Sequence, residues 1–104
     1  MESPITLGAL SCAGYQMRGV LVPEHLIDGL DAHVQNGRKT GSFLFAVLSN
    51  NLRDAVLQAD TKSLEGLPAI MGWLHNEAPA QSWGSPEKVN GWRARGGYFG
   101  GANQ

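Results

Sequence analysis

Helical spacing of apolar residues, divided by prolines and glycines into separate segments, most strongly constrains the fold of this chain. The first segment lies between Pro23, which suits the first turn of a helix, and Gly37, which suits the left-handed position after its end. Its apolar residues are Leu26, Ile27, Leu30 and Val34. We therefore predict a helix from about Pro23 to Asn36.

Two more segments carry the same signal. Thr40 or Ser42 can cap a second helix that runs to about Ala59, and its broad apolar face predicts a place in the core. That face comprises Phe43, Leu44, Val47, Leu48, Leu52, Ala55, Val56 and Ala59. Pro68 begins a third helix more naturally than it continues one, and Pro79 ends it.

A fourth, shorter helix is predicted from its start signals. Ser85 is suited to cap it, Pro86 to take the first helical position, and Glu87 to lie near the positive end of the helix dipole. The helix is expected to end near Arg95, ahead of Gly96 and Gly97.

These segments predict an all-α fold with one domain, since 104 residues leave no room for a second. The expected architecture is a bundle of four helices, three long and one short, over residues 22–95. Residues 1–21 show no clean period and are predicted to form an irregular arm. The glycine-rich residues 96–104 are predicted to form a flexible tail.

Charge and cysteine content exclude several classes of protein. A net charge of -1 argues against a protein that works by neutralising nucleic acid, so no nucleic-acid partner is expected. The single Cys12 allows neither an internal disulfide nor a thiol-rich zinc site, which fits a reducing cytoplasm. No stretch is apolar enough to span a membrane. Because only 16% of residues are charged, we expect another subunit to cover part of the surface, as in a homo-oligomer.

Catalytic and metal-binding patterns are not found in the sequence. His25, His33 and His75 are far apart, and no local motif joins them to a nucleophile. Zinc ligands in paired short spacings are also missing, so we expect no metal, no cofactor and no enzymatic activity. An enzyme using His25 with Glu24 and Asp28 is the weakest alternative, because acidic residues at helical spacing normally form a solvated helix face.

The stretch Trp83-Gly84-Ser85 is the best candidate for a binding site. It places an aromatic ring beside the free amides of a helix start, which attract anions. Asn50 and Asn51 interrupt an otherwise strong helix, and such breaks often have a functional role. Arg53 lies within one turn of both. Capping and core packing explain the same residues without any ligand.

The chain also resembles a group of small proteins encoded by tailed phages and prophages. The resemblance covers about residues 22–93. It rests on Pro23-Glu24-His25, Gly41-Ser42-Phe43-Leu44, Ala46-Val47-Leu48, Asn51-Leu52, Ala59-Asp60, Leu67-Pro68, Asn76-Glu77, Pro79, Trp83-Gly84-Ser85-Pro86-Glu87 and Trp92. It implies an accessory protein acting in the cytoplasm of a bacterial host, where such proteins often counter defence systems.

Two functions remain open from the sequence. The preferred one is a non-enzymatic binding protein that sequesters a small, planar, anionic ligand, such as a nucleotide signal, at Trp83, Gly84 and Ser85 with Asn50, Asn51 or Arg53 nearby. The alternative is an inhibitor or adaptor that binds a host protein through an exposed apolar patch rather than a pocket.

Overall fold

A computed structural model describes residues 7–101, with the side chains of residues 9–100. Its elements are α1 Leu7–Leu10, β1 Gln16–Met17, β2 Val20–Leu21, α2 Glu24–Asn36, α3 Ser42–Leu48, α4 Leu52–Gln58, α5 Thr61–Glu65, α6 Leu67–Asn76, a 3₁₀ turn Ala80–Ser82, α7 Pro86–Arg95 and α8 Gly97–Gly101. The mostly helical fold is confirmed. The helices are shorter and more numerous than the predicted four, and a small hairpin accompanies them.

Helix α2 agrees with its prediction except that it begins one residue later, at Glu24. Gly37 ends it in the left-handed conformation with φ 69°, and its N–H donates to the His33 carbonyl at 2.9 Å. Leu30 and Val34 are fully buried on the face that the sequence predicted.

The prediction of one continuous second helix is wrong, because the helix is interrupted at Asn50. Asn50 adopts a positive φ of 64°, a conformation that asparagine tolerates better than most residues. Asn51 then caps a new helix, α4, by accepting the Asp54 N–H at 3.1 Å. The two asparagines thus end α3 and start α4.

The break changes which residues of α4 are buried. Ala55 is buried in α4, whereas Leu52 and Val56 are exposed, contrary to their predicted place in the core. In α3, by contrast, Phe43, Leu44, Ala46, Val47 and Leu48 are all buried as the core side of that helix.

Helix α5 begins with a side-chain cap, whereas α6 begins without one. Asp60 accepts the Ser63 N–H at 2.7 Å and starts α5. Helix α6 begins at Leu67, so Pro68 lies within its first turn, where its missing N–H costs no helical hydrogen bond. Ile70, Trp73 and Leu74 of α6 are fully buried and form the centre of the core.

Helix α7 confirms each of its predicted end signals. The Ser85 Oγ accepts the Lys88 N–H at 3.1 Å, and Gly96 ends the helix with φ 86°. Trp92 is buried, and its Nε1 donates to the carbonyls of His33 and Val34 at 3.0 Å each. This indole N–H therefore fastens α7 to the last turn of α2.

The N-terminal arm, residues 7–21, consists of α1 and an antiparallel hairpin in which Gln16 pairs with Leu21. Asp31 and Gln35 of α2 hold this arm. Asp31 accepts from the Ser11 hydroxyl at 2.7 Å and the Cys12 N–H at 2.8 Å. Gln35 donates to the Leu10 carbonyl at 2.7 Å.

The start of the predicted flexible tail is helical. Gly97–Gly101 form α8, which packs against α2. A methyl group added at Gly37 would lie 2.8 Å from the Gly97 nitrogen, so the two backbones meet where only glycine fits. Residues 102–104 of that predicted tail, and residues 1–6 of the predicted arm, lie outside the described residues.

Candidate functional site

Trp83 lies at the edge of the core, half-buried and packed against it. It lines a cavity of about 280 Å³, here called the Trp83 cavity, whose other lining residues are Asn50, Leu74, His75, Ala78, Ala80, Gly84 and Lys88. Asn50 and the pair Trp83-Gly84, predicted as parts of one site from distant positions, are therefore brought together. Lys88 and His75 were not predicted.

Most amides at this helix start are already bonded. The Gly84 N–H donates to the Leu48 carbonyl at 2.7 Å, and the Val89 N–H donates to the Ser85 carbonyl at 3.0 Å. Lys88 donates its N–H to the Ser85 side chain, and Pro86 has no N–H to offer. The expected row of free amides is thus shortened by the Ser85 cap, by the bond to Leu48 and by the proline.

The positive charge at this cavity comes instead from the Lys88 side chain. Its Nζ lies 3.6 Å from the point where a Gly84 Cβ would stand. Gly84 has φ 121°, a conformation that L side chains rarely adopt. Glycine at this position therefore permits both the turn and the approach of the lysine chain beside Trp83.

The other three predicted residues, Ser85, Asn51 and Arg53, do not line the Trp83 cavity. Ser85 serves as the cap of α7. Asn51 serves as the α4 cap and also donates from Nδ2 to the Asp54 Oδ2 at 3.0 Å. The Arg53 side chain is exposed to solvent, and its Nε lies 3.6 Å from the Asp54 Oδ1. The local role that asparagine usually has at a helix start accounts for Asn51.

Behind Trp83, the fully buried His33 fixes the preceding residue. Its Nε2 lies 2.8 Å from the Ser82 carbonyl oxygen, to which it donates. Its Nδ1 has no hydrogen-bond partner among the described residues. Burial, with a smaller contribution from the charge of Arg93, lowers the pKa of His33. A neutral His33 therefore holds the Ser82-Trp83 turn against α2.

A second surface was not predicted from the sequence, which assigned two of its residues, Leu52 and Val56, to the core. Leu52 is 68% exposed, Leu57 73%, Val56 42% and Leu64 44%. We call these four side chains of α4 and α5 the α4–α5 surface. A cavity of about 190 Å³ lies beside them, lined by Val47, Asn50, Asn51, Leu52, Ala55, Leu67 and Met71. The two asparagines were the only local sign of the break that exposes it.

His25 does not pair with Asp28 as the weakest hypothesis required. Its Nε2 lies 3.1 Å from the Ser63 Oγ and 3.8 Å from the Asp60 Oδ2. A base in a catalytic triad uses one ring nitrogen for the nucleophile and the other for the carboxylate, whereas here one nitrogen meets both groups. Hydrogen bonds from Ser63 chiefly lower the pKa of Asp60. The arrangement is that of a helix cap.

Residues 7–101 contain no cluster of three or more histidine, cysteine, aspartate or glutamate side chains able to hold a metal ion. Within the same part of the chain, no helix has the length and apolarity to cross a membrane. Searches against protein-family models, curated proteins and solved structures found no match to the chain. The function is accordingly argued from these surfaces.

Proposed function

We propose that this chain is a non-enzymatic binding protein that docks on another protein through the α4–α5 surface. The observation that carries the proposal is the exposure of Leu52 and Leu57, two large apolar side chains on one short helix. Several exposed large apolar side chains in one short part of the chain are typical of an interaction site. The resemblance to phage accessory proteins suggests that the partner is a protein of a bacterial host.

The energetics indicate what the partner must contribute. Completing the burial of the four side chains is worth roughly 3–7 kcal/mol, at about 1.5–3 kcal/mol for each fully buried side chain scaled by its exposure. Association costs about 4–15 kcal/mol in lost freedom. The patch alone therefore gives weak binding, and a partner must add an anchor of its own.

The neighbouring cavity is suited to that anchor. Its walls are mainly apolar, from Val47, Ala55, Leu67 and Met71, and its rim carries the amides of Asn50 and Asn51. One large apolar side chain can fill such a space while the amides bond the backbone around it. We therefore expect a partner segment with a single aromatic or aliphatic anchor rather than a charged ligand.

A pair of charge insertions tests this proposal. Leu57→Asp places a carboxylate on the α4–α5 surface. Leu21→Asp places one on the hairpin as the matched control, at a leucine that is also exposed, 55% against 73% for Leu57. Each tagged variant is expressed in host cells, and the partner is identified, purified and titrated by calorimetry. We expect a stoichiometric complex with the wild-type chain and Leu21→Asp, weakened at least about tenfold by Leu57→Asp.

Two outcomes contradict the proposal. Equal affinity of the purified partner for both variants would place the interface elsewhere. A wild-type dimer in sedimentation that Leu57→Asp dissociates, with no host protein bound, would show that a second copy of the chain occupies this surface.

A second candidate function rests on the Trp83 cavity, which Trp83, Lys88 and Asn50 line together. A planar anion could stack on the indole while the ammonium balances its charge. Calorimetric titration with a panel of mononucleotides and cyclic nucleotides tests it. Binding that is lost in both Trp83→Ala and Lys88→Gln supports this function, and absence of heat across the panel overturns it.

A further inference from the structure

Two adjoining cavities lie on another face, where the 37–41 loop meets α3 and α7. They measure about 380 and 320 Å³, and both are lined by Lys39, Asn90 and Arg93. Gly37 and Ala94 complete the first, and Thr40, Gly41, Ser42 and Phe45 complete the second. We call the combined depression the basic notch. It shares no lining residue with the Trp83 cavity or with the cavity beside the α4–α5 surface.

The charge of the notch is all of one sign. Its lining contains two cations and no carboxylate, although the whole chain has a net charge of -1. Within the described residues, neither Lys39 nor Arg93 forms an ion pair, and Arg93 is half-buried. Two cations from separate elements thus converge with nothing to neutralise them, which favours an anion between them.

Backbone contact fixes the positions from which these two side chains extend. A methyl group at Gly37 would lie 3.0 Å from the Arg93 Cα, so the loop that carries Lys39 rests directly on α7. The Arg38 N–H also donates to the Ala32 carbonyl at 3.3 Å. Because both backbone segments are held, binding of an anion has to order only the two side chains.

We propose that the basic notch binds the phosphate group of a small phosphorylated ligand. Lys39 and the Arg93 guanidinium contact the phosphate oxygens, and the neutral donors Asn90, Thr40 and Ser42 complete their hydrogen bonds. Phe45 gives the remainder of the ligand an apolar wall. The volumes match those of small-ligand sites, whereas nucleic-acid backbones are usually held by more cations than two.

Amide chemical shifts during titration test the site. The full chain in low-salt buffer is titrated with inorganic pyrophosphate and, separately, with adenosine monophosphate. We expect saturable shifts at Asn90, Arg93 and the 37–41 loop, and affinity for pyrophosphate reduced about tenfold or more in Arg93→Gln and in Lys39→Gln. Lys62→Gln is the control for lost surface charge and is expected to bind as wild type. Thermal melting confirms that each variant is folded.

The same titrations separate this site from the alternatives. Shifts that do not saturate, or that persist unchanged in Arg93→Gln, overturn the proposal. Binding lost in Lys88→Gln but kept in Arg93→Gln assigns the anion to the Trp83 cavity instead. Tight binding of a single-stranded oligonucleotide without any response to pyrophosphate shows an extended nucleic-acid surface, and that outcome also contradicts a small-ligand site.

Discussion

The N-terminal arm, residues 7–21, and the C-terminal α8 are attached to the same helix, α2, by opposite means. The N-terminal arm is held by polar side chains, since Asp31 and Gln35 reach across to bond the backbone at Leu10 and Cys12. The C-terminal α8 is held by glycines that let two backbones touch, with Gly97 against Gly37. The first attachment depends on hydrogen-bonding groups, and the second depends on the absence of side chains.

Gly97→Ala should break the C-terminal attachment and give the largest effect. Gly97 has φ 76°, and an added methyl would overlap backbone atoms of Gly37 and Asn36. We expect the free energy of unfolding to fall by about 2–3 kcal/mol, measured by urea denaturation. Gly91→Ala in α7 is the control, because no atom lies within 4 Å of its new methyl. It should stabilise by about 0.5–1 kcal/mol. A neutral Gly97→Ala would refute the close packing of α8.

Asp31→Ala should break the N-terminal attachment with a somewhat smaller effect. It removes acceptors from the Ser11 hydroxyl and the Cys12 N–H, and we expect a loss of about 2 kcal/mol because the bonds involve a charged, partly buried acceptor. Asp28→Ala, an exposed aspartate on the same helix, should cost less than about 0.5 kcal/mol. Similar losses in the two variants would mean that Asp31 does not hold the arm.

Acid should lower the free energy of unfolding through His33, which lies near the C-terminal attachment. The His33 carbonyl accepts the Trp92 N–H and so joins α7 to α2. The pKa of the His33 side chain is lowered by burial, so the unfolded chain takes up the proton first. Stability is complete above the unfolded pKa of about 6.5 and falls below it, by up to about 1.4 kcal/mol per pH unit. Urea denaturation between pH 5 and 7 measures how the free energy of unfolding changes with pH. His33→Gln should remove most of this dependence, whereas the control His75→Gln, at an exposed histidine, should retain it.

Gly72→Ala should change the free energy of unfolding least, because its new methyl group meets a side chain rather than a backbone. Gly72 of α6 lies under the arm, and a methyl there would meet the Met17 Sδ at 2.8 Å. A thioether chain can move aside where a backbone cannot, and alanine gains about 1 kcal/mol in a helix. The net change in unfolding free energy should therefore stay within about 1 kcal/mol of zero. A urea midpoint lower than that of Gly97→Ala would contradict this distinction between side-chain and backbone contact.

Local signals explain which parts of the fold the sequence could predict. Helix α7 was predicted at both ends because Ser85, Pro86 and Gly96 act within one turn of the helix termini. The interruption at Asn50 was not predicted, because apolar residues at helical spacing continue through Leu52 and Val56. That spacing was given more weight than the low helix propensity of Asn50 and Asn51. Helix α8 was missed because its glycines disfavour a helix on their own and are ordered by α2.

The sites divide in the same way. Asn50, Trp83 and Gly84 line one cavity, as predicted, whereas Ser85, Asn51 and Arg53 of the same predicted site do not. Asn50 was noticed because it interrupts a helical pattern, and Trp83-Gly84 because it precedes a helix start. Lys88, Lys39 and Arg93 break no such rule, and their proximity to other groups comes from packing between separate elements. The α4–α5 surface follows from one residue in the left-handed conformation, which no apolar pattern reveals.

The buried Cys12 can report when the N-terminal arm opens away from α2. Its side chain is completely shielded, and burial together with the neighbouring Asp31 charge raises the pKa of the thiol. The reacting species is the thiolate, which forms only when the thiol reaches water. A thiol reagent therefore modifies Cys12 only after the arm has separated from α2. The rate of labelling thus measures how often the arm detaches while the rest of the chain stays folded. No engineered probe is needed, because Cys12 is the chain's single cysteine.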